Sequence, residues 1–124
     1  MTKVKSFEEL NCWKESRVFN QSFYKTTSNE YFNRDFDFRR QLRRASISVS
    51  SNIAEGFERN TDKEFIYFLY VSKGSAGELR SQLYLAYDLK YIDKNEFIEL
   101  QEQITKISKM IGGLIKYLEN SNKK

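Results

Sequence analysis

The sequence contains no histidine and no proline, and it has only one cysteine and five glycines in 124 residues. Without histidine, the commonest general base and metal ligand is missing, and no Ser-His-Asp or Cys-His arrangement can form. Cys12 cannot form an internal disulfide and supplies too few ligands for zinc, so we expect it to be a small core residue. The lack of proline and scarcity of glycine favour long helices over a turn-rich β fold.

Long apolar runs are also missing. No segment approaches the roughly 18 apolar residues of a membrane span, and "MTKVKSFEEL" at the N-terminus has no apolar signal core. The chain has 21 basic and 17 acidic residues, a formal charge of +4, which permits a weak attraction to nucleic acid. These features predict a cytoplasmic protein with no membrane partner.

Apolar residues recur at alternating steps of three and four, which is helix spacing. This period predicts four helices, at about 7–28, 38–55, 62–90 and 94–119. The last helix, for example, is expected to bury Phe97, Leu100, Ile104, Ile107, Ile111, Leu114 and Leu118. Capping pairs at Ser6–Glu9, Thr61–Glu64 and Asp93–Glu96 are expected to mark three of the starts. Helices joined mostly by short connections predict an all-α fold, an antiparallel up-down four-helix bundle in a single domain over residues 1–124.

The stretch "ASISVSSNIAEG" (45–56) belongs to the second of these helices. Its serines have little bulk and allow close packing, and none has an evident catalytic base. Gly56 is expected to end the helix with a positive φ. Further along, "GSAG" (74–77) lacks the ending of a phosphate-binding loop, and its glycines are expected to let another backbone approach.

The third predicted helix is more apolar than a bundle helix needs to be, because "EFIYFLYV" (64–71) is apolar almost all round. A helix that is apolar on every side is normally covered on every side. This favours a homo-oligomer, in which a second subunit covers the helix, over a monomer whose tyrosines are exposed to solvent. The predicted interface residues are Ile47, Ala54, Ile66, Tyr67, Tyr70, Val71 and Leu85.

Four arginines, Arg39, Arg40, Arg43 and Arg44, point away from the apolar seam of the second helix, and no acidic residue lies between Phe38 and Ala54. Three interpretations stay open: ion pairs within or between subunits, a nucleic-acid site, and a solvated helix face. Among the acidic residues, Glu55 and Glu78 are either partly buried partners of an arginine or hydroxyl, or exposed.

"QLRRASISVSSNIAEG" (41–56), "GSAGELRSQL" (74–83) and the entry residues Phe7, Leu10 and Trp13 resemble the four-helix-bundle proteins encoded in 23S rRNA intervening sequences. The likeness spans nearly the whole chain. It departs at Ser50, where that family often has proline, and at Ala76 and Gly77, which are smaller than its usual residues. Its motif residues with an expected structural role are Asn52, Glu55, Gly56, Gly74 and Glu78.

This resemblance implies a ring-shaped homo-oligomer, a pentamer, and supplies no activity. A looser likeness is to the accessory bundle proteins of diversity-generating retroelements, which are basic pentamers that bind RNA and a reverse transcriptase. The resulting hypothesis is a non-enzymatic, ring-forming scaffold that binds RNA, with no cofactor and no small-molecule substrate. The alternative is a protein–protein interaction adaptor without a nucleic-acid role, whose arginines form structural ion pairs.

Overall fold

Every regular element between residues 4 and 121, the part that this computed structural model describes, is helical. The elements are a short 3₁₀ helix (Phe7–Glu9), α1 (Asn11–Thr26), α2 (Glu30–Arg34), α3 (Phe36–Phe57), α4 (Asp62–Asp88) and α5 (Lys94–Ser121). The predicted all-α fold is therefore confirmed, and α1, α3, α4 and α5 are the four expected bundle helices. None of the helices in the described range is long and apolar enough to cross a membrane.

Neighbouring long helices run in opposite directions. At one end of the bundle Gln82 on α4 donates to Gln41 on α3 at 3.3 Å, while nearer the other end the hydroxyls of Ser48 and Ser75 lie 2.8 Å apart. Residue numbers thus fall along α3 as they rise along α4. The same reversal appears between α1 and α3 and between α4 and α5, in the pairs Arg43–Thr27, Asn20–Ser50, Gln101–Arg80 and Tyr70–Glu119.

Two of the three predicted caps are present. Thr61 Oγ1 accepts from the Glu64 amide at 3.1 Å, and Asp93 and Glu96 accept from each other's amides at 2.8 and 2.9 Å. The prediction for Ser6 is wrong, since its side chain makes no capping bond and precedes only the 3₁₀ helix. The first long helix begins at Asn11, after an extended Leu10.

The connection between the first two bundle helices, α1 and α3, contains the short helix α2. Asn29 Oδ1 caps it by accepting from the Phe32 amide at 3.2 Å, and the Phe32 side chain is buried. Asp35 then caps α3 through the Phe38 amide at 3.4 Å, so α3 begins at Phe36, two residues before the predicted start at Phe38. Asn and Asp favour helix starts because their side chains accept from the free amides of the first turn.

The buried stripe follows the predicted spacing in all four long helices. In α3, Ile53 is buried, and the neighbouring Asn52 is half-buried. In α5 the prediction is wrong at two positions, since Phe97 and Leu114 are only partly buried, and Ile115 is buried in place of Leu114. A straight helix drifts against a strict seven-residue repeat, and this drift moves the stripe on by one residue near the end of α5.

The serine-rich stretch of α3 forms a hydrogen-bonded seam between three helices. Toward α1, Ser46 donates to Asn20 Oδ1, and Asn20 Nδ2 donates to Ser50 at 3.1 Å. Toward α4, Ser72 donates to the Val49 carbonyl at 2.7 Å, in addition to the Ser48–Ser75 contact. These small side chains satisfy each other while the helices pack closely, which explains Ser46, Ser48 and Ser50 by packing alone. Ser51 is exposed and lies outside this seam.

Gly56 does not end a helix with a positive φ, as the sequence predicted. It lies inside α3, and no glycine in the described range has a positive φ. A Cβ built on Gly56 would lie 2.7 Å from Phe68 Cβ and 3.2 Å from the Phe65 carbonyl oxygen. Glycine is therefore required here because α4 leaves no room for a side chain, which is packing rather than backbone freedom.

The end of α4 is tied to the first connection through Tyr91. Lys90, with φ of 64°, reverses the chain after Asp88, and Tyr91 follows it. The Tyr91 hydroxyl donates to Asp35 Oδ2 at 2.8 Å, and Asn29 donates to the Tyr91 carbonyl at 3.0 Å. The hydrogen bond to Asp35 raises the pKa of Tyr91, so the tyrosine stays a donor at neutral pH.

Replacing Gly56 with alanine is expected to lower the free energy of unfolding by about 1–2 kcal/mol, because overpacking against α4 outweighs the better helix propensity. Gly113→Ala is the matched control: nothing lies within 4 Å of an added Cβ there. It is expected to raise the free energy of unfolding by about 0.5–1 kcal/mol. Urea unfolding followed by circular dichroism measures both, and equal stabilisation by the two variants would contradict the packing argument.

Candidate nucleic-acid site and subunit interface

The four predicted arginines lie on the first three turns of α3, around one shallow hollow of about 380 Å³. Arg40 and Arg44 are exposed, while Arg39 and Arg43 are half-buried. The hollow is completed by three apolar or aromatic side chains, Tyr24, Phe36 and Ile47. No acidic residue lines it. We call this set of seven residues the arginine hollow.

Arg43 is held in place by the C-terminal end of α1. Its Nε donates to Thr27 Oγ1 at 2.9 Å, and its Nη2 donates to the carbonyls of Tyr24 and Thr27 at 3.1 and 3.3 Å. Thr27 is fully buried, and the carbonyl end of a helix carries partial negative charge. Arg43 thus closes the end of α1, and its guanidinium carbon lies 4.2 Å from the centre of the Tyr24 ring.

The other three arginines are held less firmly. Arg39 donates to Asn33 Oδ1, and its guanidinium lies 5.5 Å from the centre of the Phe36 ring. Arg40 lies 5.3 Å from the same ring. Between residues 4 and 121, the side chains of Arg40 and Arg44 make no hydrogen bond and no ion pair, so both guanidinium groups are available to a ligand.

None of the four arginines forms an ion pair within the described part of the chain. The ion pairs found there are Arg34–Glu30, Arg59–Glu64 and Lys106–Glu15. The interpretation of the strip as intrachain ion pairs is therefore wrong. Burial, and then the charge of Arg39, lower the pKa of the Arg43 guanidinium from its ordinary value, and the nearby Tyr24 acts in the opposite direction. Like charges are thus crowded along α3, and the nearby Asp35 and Asp37 form no ion pair with them in the described part of the chain.

The predicted interface residues divide into two groups. Tyr67, Tyr70, Val71 and Leu85 are exposed on α4, and Tyr67 is the most exposed, at 63%. Ile66 instead packs against the core, Ala54 is half-buried, and Ile47 belongs to the arginine hollow.

Two exposed glycines extend this exposed surface along α4. A Cβ built on Gly74 or Gly77 would meet nothing within 4 Å, so the close backbone approach expected there is not made within the subunit. Tyr84 is also exposed, at 57%. We call the following residues the outer α4 face: Tyr67, Tyr70, Val71, Gly74, Gly77, Tyr84 and Leu85.

The acidic and sulfur-containing candidates carry no chemistry. Glu55 and Glu78 are both exposed, so their interpretation as partly buried acids is wrong; Glu78 only accepts from Gln82 at 3.3 Å. Burial raises the pKa of Cys12 to about 11, which keeps the thiol protonated and unreactive at neutral pH. No group of His, Cys, Asp and Glu in residues 4–121 has the arrangement of a metal site.

A larger groove of about 730 Å³ lies between α4 and α5, and it is a weaker candidate for an anion. Its basic residues, Arg80, Lys106 and Lys109, share the groove with Glu102, and Lys106 is paired with Glu15 at 3.8 Å. The arginine hollow, by contrast, is lined by no acidic residue.

Sequence reasoning missed two residues of the hollow, Tyr24 and Phe36. The boundary placed near Phe38 left Phe36 in a loop, although it precedes Arg39 and Arg40 by three and four residues, which is helix spacing. Tyr24 lies on a different helix, and no local pattern connects it with Arg43.

Replacing Arg43 with alanine is expected to lower the free energy of unfolding by about 1–2 kcal/mol, since it removes charged hydrogen bonds to the end of α1. Arg44→Ala removes the same charge from an unpaired side chain and is expected to change stability by less than about 0.5 kcal/mol. Urea unfolding of the two variants provides the measurement. Equal values would show that Arg43 does not stabilise α1.

The fold has a relative among solved structures. A crystal structure of a protein of unknown function from the S23 ribosomal protein family of Bacteroides thetaiotaomicron has a TM-score of 0.78 and 25% sequence identity, and the match covers 85% of this chain and 95% of that one. A comparison with curated proteins found no match. Residues 8–113 match the family described as 23S rRNA-intervening sequence protein. Since the match covers most of the sequence, the chain belongs to the 23S rRNA-intervening sequence protein family.

Proposed function

We propose that the protein is a non-enzymatic scaffold that forms a homo-oligomeric ring and binds RNA through the arginine hollow. The observation that carries the RNA part is the hollow itself, where four arginines converge and no carboxylate neutralises them. Guanidinium groups bind phosphate with paired N–H donors, and they remain charged at any physiological pH.

Phosphate would also relieve the repulsion within α3. Arg39 and Arg43 are four residues apart, as are Arg40 and Arg44, and like charges at this spacing destabilise a helix by about 0.2–0.5 kcal/mol. Arg43 is fixed by α1, so one wall of the hollow is formed before any ligand arrives. Arg40 and Arg44 are the side chains left to bind the ligand directly.

The outer α4 face supports self-association. Its tyrosines, valine and leucine form an apolar strip along the side of the helix that the bundle does not cover. Contiguous apolar surface of this kind marks an interaction site, and in a small bundle a second copy of the chain is the simplest cover. The number of five subunits rests on the family resemblance. A ring repeats the arginine hollow several times, and simultaneous contacts raise the affinity for one RNA.

The double variant Arg40→Ser/Arg44→Ser is expected to bind RNA more weakly and with a flatter salt dependence. The log–log slope should decrease by about 0.7 for each phosphate contact that is lost from a single strand. Fluorescence anisotropy over a range of salt concentrations gives both quantities.

The control for this pair is Lys14→Ser/Lys116→Ser, which removes the same charge at the opposite end of the bundle. It is expected to keep most of the affinity. If the two double variants bind RNA equally well, the arginine hollow is not the RNA site. A folded wild-type protein that binds no RNA would favour the adaptor function.

The double variant Tyr67→Lys/Leu85→Lys is expected to dissociate into monomers of 14.8 kDa while keeping its helical circular dichroism. Light scattering coupled to size exclusion measures the mass. Val18→Lys/Ile98→Lys, which alters two exposed apolar residues on α1 and α5, is expected to stay assembled. A monomeric wild-type protein, or dissociation only in the control, would contradict the role of the outer α4 face.

A further inference from the structure

The arginine hollow contains more exposed aromatic surface than a purely electrostatic phosphate site needs. Phe36, the first residue of α3, is 52% exposed, and it is not among the residues that pack against the core. About half of the ring therefore remains in contact with solvent in the monomer. This exposed part of the ring is available to a ligand.

The two rings of the hollow are already paired with guanidinium groups. Arg39 and Arg40 lie 5.5 and 5.3 Å from the centre of the Phe36 ring, and Arg43 lies 4.2 Å from that of Tyr24. Ile47, 43% exposed, completes the apolar lining of the hollow. The guanidinium groups thus lie over the rings, and nucleobases stack both on aromatic rings and on guanidinium planes.

The volume of the hollow and its charge fit the same ligand. At about 380 Å³ it lies at the small end of the range for small-molecule sites. The side chains of Arg40 and Arg44 line the hollow and are exposed, so they can meet the phosphates on either side of a base. A ligand that has both a π face and flanking phosphates matches the rings and the charges of the hollow.

A base in a duplex cannot use this surface, because its two faces are covered by the neighbouring base pairs and the deep groove of A-form RNA admits no side chain. An unpaired base exposes a face at no such cost. We infer that the arginine hollow recognises single-stranded RNA, with an unpaired nucleobase stacked on Phe36 and the adjacent phosphates on Arg40 and Arg44. This rests on the proposed RNA-binding function and specifies the form of the RNA.

The test compares a short single-stranded RNA that cannot fold on itself with an RNA duplex that has the same number of phosphates, using the assembled protein. The wild-type protein is expected to bind the single strand more tightly. Phe36→Leu keeps all four arginines and an apolar side chain but removes the ring. It is expected to weaken single-strand binding about tenfold or more. Duplex binding and the salt slope are expected to be unchanged.

Phe36→Tyr, which keeps a ring, is expected to retain the preference for the single strand. Phe36→Trp adds a fluorophore that an unpaired base quenches on stacking, and the duplex is expected to leave its emission unchanged. The inference would be overturned if the protein bound both RNAs equally well and Phe36→Leu had no effect. If Arg40→Ser/Arg44→Ser still weakened binding in that case, the RNA-binding function would stand. If the wild-type protein bound neither RNA, the inference and the proposed RNA-binding function would both be overturned.

Discussion

The close packing of α3 against α4 is the constraint on which the rest of the structure depends. The absence of a side chain at Gly56 lets α3 approach Phe65 and Phe68, and the small serines 48, 72 and 75 continue the contact toward the other end. Helices this close leave room only for small side chains, and the serine hydroxyls must bond to one another or to carbonyls. The composition of α3 is therefore a consequence of its position between α1 and α4.

Because of this packing, two parts of α3 have different surroundings. Its middle and C-terminal turns are buried in the seam with α1 and α4, whereas its first three turns present the arginines. Arg43 connects the two parts, because the guanidinium that contributes to the hollow also closes the end of α1. The position of Arg43 in the hollow is thus fixed by contacts that also hold α1 and α3 together.

The family and the solved relative identify an architecture and leave the activity open, since the relative is itself described as a protein of unknown function. The hollow combines charged and aromatic side chains, and the outer α4 face places apolar area on a separate helix. The two surfaces share no residue, so the proposed assembly and the proposed RNA binding are compatible with each other.

The sequence by itself determined the four long helices and most of their buried stripe, because a 3.6-residue period repeated over many turns is a local property of the chain. It also located the arginines and the exposed tyrosines of α4.

The sequence did not determine which residue of a neighbouring helix each side chain contacts. Gly56 was read as a helix end, yet its role depends on Phe68, twelve residues later in the chain and on another helix. Likewise, Arg43 bonds to the end of α1 and Tyr24 joins the hollow from α1 only because antiparallel packing brings together residues that are 16 and 19 positions apart. Such contacts depend on the tertiary structure, since helix spacing specifies which face of a helix is buried and never which neighbour covers it.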